Sequence, residues 1–437
     1  MSTVKTQEAH ILKTRINIKN LFISPYGPTI FPLFLLFVSL IFPPSLYESY
    51  VGEPDYMFLN IKILAFVLLC TFFYFIGVFI SNYKPLFSFN LIKKKVKVSF
   101  FVYIGTISAL TIVLQLIFVF LMFIYFNKTL HLNLLEIVLS GKGQLIKDYL
   151  GKEVRIPFGL GSIPLFVTGI EFWLLYKLYT FQADLNDLKK FRELKYLEIS
   201  IVVSLVLFII SNIITLNRPT LMIFLIGWFV IYSYFNKGSI FYRVVKLSIT
   251  VVLIYAITSI LRWASGSENL TDLVLGRLLG YTVADFNRLA LILEGKLSYV
   301  EAGVPRIFYI LPILKIPLTN IEFFNLRETS PLAFSAVGSA GLNSDYNMAT
   351  LFGGIYQSIG IATPIYFTVL GFIGSRLYIS FKRGKTFGIM LYPLFYASVA
   401  LWMIDVNVFF MFFPYFFYAF VLMMFYDNFI EGSLVNR

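Results

Sequence analysis

The sequence predicts an all-α, polytopic transmembrane helical bundle of about ten spans with a large helical external segment, and three observations carry that prediction. Of the 437 residues 58% are hydrophobic and only 14% are charged, where an average soluble domain has roughly a quarter charged. The apolar residues come in unbroken blocks of roughly 20, the length a helix needs to cross ~30 Å of hydrocarbon. Lys and Arg residues flank those blocks and are shared unevenly between alternate loops.

The blocks place spans near 28–46, 57–80, 101–126, 161–181, 198–216, 219–235, 246–261, 358–379, 387–404 and 408–426, so the whole chain, 1–437, reads as one integral membrane domain. With the N-terminus inside, the inner segments hold Lys5, Lys13, Arg15 and Lys19, then Lys84, Lys93, Lys94, Lys95 and Lys97, then Lys189, Lys190, Arg192 and Lys195. Lys237, Arg243 and Lys246 follow, and then Lys382, Arg383 and Lys385. The short turns at 47–56 and 405–407 hold no Lys or Arg, and the turn at 217–218 holds Arg218 alone. That asymmetry puts both termini on the cytoplasmic side. The net charge of +13 is therefore read as a topology signal, and no nucleic-acid partner is expected. The basic N-terminal stretch leads into a full span ending at Pro43-Pro44 with no small-residue cleavage pattern, which argues against a cleaved signal peptide. A single cysteine, Cys70, excludes a disulfide framework.

Two external segments interrupt the pattern. The first, 127–160, is mixed in charge and carries the amphipathic run Leu132 to Leu139, followed by Gly141 and Gly143, which predicts a piece lying on the membrane surface. The second, 262–357, is too long to be a connection and too apolar to be a disordered linker, so function is sought there. In it, Thr271-Asp272 predicts an N-cap for a helix running to about Glu294, with Gly295 ending the pattern. At helical spacing Arg277, Tyr281, Asp285 and Arg288 fall within an arc of about 80°. Two readings of this stripe stay open: a grip on a diphosphate, whose oxygens match the planar donor fork of Arg, or a solvated face with an Arg–Asp pair.

Beyond it, Arg306 precedes the stretch Ile307 to Ile321, apolar but broken by Pro312 and Pro317, which reads as an interfacial or re-entrant piece. The run Ser335 to Asn347 is small and hydroxylated. It is either a backbone cradle for an anion or sugar, or a plain loop. Inside the spans, Glu171 lies mid-span, Lys62 near an outer end, and Arg218 just before Pro219. For Lys62 and Glu171 the favoured reading is structural, by snorkelling or helix pairing. Arg218 is either a lipid-phosphate contact or part of a clamp with the large segment. The only histidines are His10 and His131, and no HExxH, DxD, GxSxG or P-loop pattern occurs, so no metal site is expected.

Taken together, the spans, the late external segment, Arg218 beside its short turn, and the run Asn347-Met348-Ala349-Thr350-Leu351-Phe352 with Tyr356 and Gly360 resemble the bacterial oligosaccharide repeat-unit polymerases, the O-antigen polymerase (Wzy) group. The resemblance implies a GT-C-like membrane glycosyltransferase, inverting and without cofactors, which joins repeat units carried on undecaprenyl pyrophosphate at the periplasmic face of the bacterial inner membrane. It makes 262–357 and 127–160 periplasmic. Implied partners are the undecaprenyl-pyrophosphate-linked glycan, membrane lipids and a chain-length regulator protein. Arg218 matches the family's external arginine, Tyr356 and Gly360 its aromatic-and-glycine lead-in to a late span, and Asp345 its aspartate signature. On this basis Arg218, Arg277 and Arg288 form the expected pyrophosphate clamp, with Tyr281, Asn347 and Tyr356 binding substrate and Asp345 or Asp285 as general base. Alternatives are a lipid-linked oligosaccharide flippase or transporter, and the O-antigen ligase, whose usual external histidine is missing from 262–357.

Overall fold

The computed structural model describes residues 18–53, 58–81, 96–129, 131, 133–146, 163–184, 191–214, 218–236, 238–264, 269–298, 336–346, 350–403 and 408–433. The expected features at Arg306, 307–321 and Asn347 lie outside the described residues.

The chain enters through α1 (Ile18–Ile23), a single 3-10 turn, and α2 (Ile30–Ile41), then bends by 105° into α3 (Pro44–Val51). The expected first span at 28–46 is thus corrected to a broken pair: Pro43 is extended, and Pro44, lacking an N–H, starts a new helix rather than continuing the old one. There follow α4 (Ile61–Ile80), strand β1 (Val96–Ser99), α5 (Phe100–Ile124), the short α6 (Leu134–Leu139), α7 (Ile163–Asp184), α8 (Phe191–Ile214), α9 (Arg218–Phe235) and α10 (Ile240–Trp263). The late segment contributes α11 (Leu270–Leu279), a π-helical turn at Gly280–Ala284, and α12 (Asp285–Leu293). Then come α13 (Leu351–Ile359), α14 (Thr363–Lys382), α15 (Thr386–Ala400), α16 (Val408–Phe429) and strand β2 (Ile430–Ser433).

Six helices among the described residues are long and apolar enough to cross a membrane: Ile61–Ile80, Phe100–Lys128, Lys195–Ile214, Arg218–Phe235, Ile240–Trp263 and Leu351–Lys382. The bent pair would make a seventh. Each of the ten predicted blocks is largely helical, and the described residues form a helical membrane bundle. At its centre α7 packs against α5, α8, α9, α15 and α16, and most of its side chains are buried. Helices α4 and α14 cross closely, with Gly77 against the Thr368 carbonyl and Gly371 against the Tyr74 carbonyl. A side chain at either glycine would meet backbone, so small residues here let two helices approach closely.

One short departure from the all-α prediction is a parallel pair, β1 against β2, with Val96 opposite Ile430 and Ser99 opposite Ser433. Contacts sort the loops into two ends. At the first end, Lys19 donates to the Tyr234 carbonyl (3.0 Å), Tyr176 to that of Phe381 (3.1 Å), and β1 meets β2. At the second end, Gly143 N–H donates to the Leu261 carbonyl (3.2 Å), Asn343 Nδ2 to that of Val51 (2.7 Å), and Leu351 N–H to that of Trp402 (2.8 Å). The predicted surface piece is therefore docked: Leu134, Ile137 and Val138 of α6 are buried, and the following turn bonds to the end of α10.

Candidate functional site

The stripe expected on one regular helix is interrupted. Asn269, not Thr271-Asp272, caps α11, its side chain accepting the Thr271 N–H at 3.0 Å, and Gly295 ends the stretch at φ +73°. Between α11 and α12 the π-helical turn adds a residue to the repeat, which rotates everything beyond it relative to Arg277. The turn sits where the backbone is pressed by distant segments. A Cβ on Gly276 would come within 2.8 Å of the Tyr50 carbonyl oxygen, and one on Gly280 would enter the Tyr346 ring.

Past the turn Arg288 points inward and is fully buried. Its Nη1 and Nη2 form a two-pronged ion pair with Glu53, the Nη1 to Oε2 distance being 2.9 Å, while Nε donates to the Tyr346 carbonyl (2.8 Å) and Nη2 to the Asn343 carbonyl (3.2 Å). Glu53 also accepts from the Tyr47 hydroxyl and from the Asn343 N–H (2.8 Å). All three guanidinium nitrogens therefore meet protein acceptors. Arg288 ties α12, the loop after α3 and the 343–346 segment into one knot.

Arg218 and Arg277 do come together, around a residue the sequence reading did not single out. The Trp263 ring lies 4.6 Å from the Arg218 guanidinium carbon, 4.3 Å from that of Arg277 and 4.2 Å from that of Arg262. Aromatic faces complete the cluster: Tyr255 is 4.9 Å from Arg218, Tyr346 is 5.4 Å from Arg277, and Tyr281 packs edge-on to both tyrosines. Such rings hold guanidiniums by their negative faces without consuming hydrogen-bond donors. Arg218 Nη2 donates to the Thr258 carbonyl (3.2 Å), whereas its buried Nε has no acceptor among the described residues. Arg262 Nε donates to Gln144 Oε1 at 2.6 Å, which joins the 127–160 segment to the cluster.

The acid described beside these arginines is Asp345, whose carboxylate pairs with Arg277 at 2.8 Å and is 59% exposed. Asp285, the other expected base, is fully buried at the start of α12. The Arg288 bond to the Tyr346 carbonyl fixes the residue next to Asp345, so the knot positions that carboxylate against Arg277. Burial pushes the Tyr346 phenol up to about 12, with Arg277 pulling the other way. It therefore stays a neutral donor, bonded to the Gly276 carbonyl at 2.9 Å. Tyr356 lies elsewhere: its ring meets Phe66 at 5.5 Å in an apolar cluster with Leu291 and Val337. Gly360 ends α13 at φ +59°.

Sequence reasoning missed Tyr255, Arg262 and Trp263. The signal was present as an Arg-Trp pair at the C-terminal end of a span whose other basic residues, Arg243 and Lys246, lie near its N-terminal end. No protein-family model, curated protein or solved structure matches this chain.

Proposed function

We propose that the chain is an oligosaccharide repeat-unit polymerase, a metal-independent inverting glycosyltransferase acting on undecaprenyl-pyrophosphate-linked glycan in the bacterial inner membrane. In this reading the bundle is of the GT-C type with about ten spans. The first end faces the cytoplasm with both termini, and the second end faces the periplasm. The observation that carries it is the Trp263 cluster, in which Arg218, Arg262 and Arg277 gather beside one exposed carboxylate, Asp345. Three permanent cations held on aromatic faces at the membrane rim attract an anion of more than one charge. A lipid diphosphate has that charge, and its polyprenyl tail has a bundle surface to lie along.

The chemistry follows from these parts. A sugar hydroxyl of one lipid-linked unit attacks the anomeric carbon of the growing chain from the face opposite the diphosphate. The bond from that carbon to the diphosphate oxygen breaks, and the electron pair leaves with undecaprenyl pyrophosphate. Arg218 and Arg277 neutralise the charge growing on the leaving oxygen. When Arg277 turns to the diphosphate, its bond to Asp345 is released, and Asp345 accepts the hydroxyl proton. Arg288 acts through Asp345 and Tyr346 as a positioning residue.

The test is a reaction of the purified protein in lipid nanodiscs with a synthetic lipid-diphosphate repeat unit. Oligomers are expected to accumulate, with losses on the order of 10²–10³ in rate for Arg218→Ala and Arg277→Ala. Equal activity of both variants and the parent would end the clamp assignment, and absence of any oligomer would end the polymerase reading.

A further inference from the structure

Far from the arginine cluster, inside the bundle, the helices α5, α7 and α8 share a row of polar side chains that glycosyl transfer does not use. Glu171 of α7 is fully buried. Its Oε1 accepts a hydrogen bond from the Ser204 hydroxyl, and its Oε2, equally enclosed, has no hydrogen-bond partner among the described residues. Ser204 in turn meets Thr111 Oγ1 at 2.9 Å and receives Gln115 Nε2 at 3.1 Å on its carbonyl and 3.2 Å on its hydroxyl. The row continues toward the first end through Ser108 and Ser200, 3.1 Å apart, and toward the second end through Ser211, which donates to Gln115 Oε1 at 3.5 Å. Because α5 and α8 run in the same direction, these pairs climb in step between the two helices.

A carboxylate at this depth with no cation partner is costly, because hydrocarbon penalises an isolated charge, and a bound proton removes that cost. The helices packed against α7 supply none at its level. Among them α5 and α15 contain no charged residue, and those of α8 lie in its first turns, ending at Glu198. Arg218 opens α9 at the second end, and Asp427 of α16 lies toward the first end with Lys177 of α7, 3.9 Å apart. The tyrosines nearby turn elsewhere: Tyr103 to Asp427, Tyr392 and Tyr396 to the carbonyls of Ile23 and Phe22, and Tyr426 to that of Tyr103. A metal cation would need oxygen ligands all round, whereas here the NH₂ group of Gln115 faces Ser204.

We infer that Glu171 is a proton-binding site, a carboxyl that takes up one proton from solvent water on Oε2 and returns it to solvent, while Ser204 of the α5–α8 row holds Oε1. The exchange is a simple protonation. The new bond is Oε2–H, the proton comes from and goes back to solvent water, and no electron changes hands. Ser204 holds Oε1 through the change, which leaves Oε2 as the atom that binds. The site is independent of the diphosphate cluster, so it stands whether or not the chain polymerises glycans.

The experiment is infrared difference spectroscopy on the protein in nanodiscs, parent against Glu171→Gln, across the pH range in which both stay folded. One carboxylic-acid carbonyl band is expected in the parent, absent from the variant, that converts to carboxylate in a single one-proton transition as pH rises. Ser204→Ala should move the same band to higher frequency, because its carbonyl loses a donor. A second measurement on the unaltered protein guards against a misfolded variant. A lipophilic carbodiimide, which reacts with protonated carboxyls, should modify the Glu171 peptide at low pH and spare it at high pH. A band present at every pH would make Glu171 a fixed structural acid, and no acid band at any pH would make it permanently ionised. Either result overturns the inference.

Discussion

Around Arg288 every guanidinium nitrogen meets a protein acceptor in a fully buried knot, whereas around Trp263 three guanidiniums face aromatic rings and one of them, Arg277, pairs with an exposed carboxylate. The two regions lie at the same end of the bundle and are linked by one helical stretch. They teach that an arginine's availability is set by what satisfies its donors, not by its place in a charge pattern. The knot spends its donors on Glu53 and on carbonyls, so it stores shape. In the cluster Arg218 and Arg277 rest largely on ring faces, and the buried Arg218 Nε has no acceptor among the described residues.

Removing one partner should separate the two most sharply in stability. Arg288→Ala leaves Glu53 buried without its cation and is expected to cost about 3–5 kcal/mol, seen as a large fall in the thermal midpoint of the protein in detergent. A variant that kept its midpoint and lost only activity would move Arg288 back to the ligand site. In the cluster the pattern inverts: Arg218→Ala and Arg277→Ala are expected to unfold near the parent temperature while turnover falls by the factor given above. Lysine at either position should restore only part of the rate, because an ammonium lacks the two-pronged geometry.

Gly280→Ala probes the seam between the regions. Its Cβ enters the Tyr346 ring, and overpacking of this kind costs about 1–3 kcal/mol. Tyr346 carries both the Arg288 bond and the ring beside Arg277, so stability and activity should fall together. A variant that lost stability and kept full activity would show that the two regions are not mechanically joined. The smallest stability effect belongs to Asp345→Asn. Its ion pair with Arg277 is more than half exposed on the acid side, and screening leaves such pairs worth about 0.2–1 kcal/mol, so the thermal midpoint should barely move while turnover drops.

The spans were legible because hydrocarbon tests each block of sequence separately, and the blocks at 57–80, 101–126 and 219–235 reappear as α4, α5 and α9 within a few residues. The break after α2 was written in Pro43-Pro44, yet apolar residues on both sides of the prolines made one block of what the chain folds as two helices. The stripe from Arg277 to Arg288 failed as a single face for a different reason. Local spacing predicts a regular helix, and the π-helical turn answers to Tyr50 and Tyr346, which arrive from distant parts of the chain. Glu53 carries no local mark of its partner Arg288, so only the tertiary fold pairs them. Arg218 is legible from its very short turn before Pro219 and Arg277 from its place in a helical stripe, whereas Arg262 belongs to neither pattern and joins the cluster only in the tertiary fold.

The parallel pairing of Val96–Ser99 with Ile430–Ser433 has a consequence for assembly. As the polypeptide leaves the ribosome, the first of these strands must wait for its partner until α16 has been made and the second strand emerges behind it. Closure of this ribbon is therefore a late step of biogenesis, joining the mouth of α5 to the tail of α16. A nascent chain stalled before that point would still expose a sticky backbone edge, which a chaperone or quality-control protease can recognise.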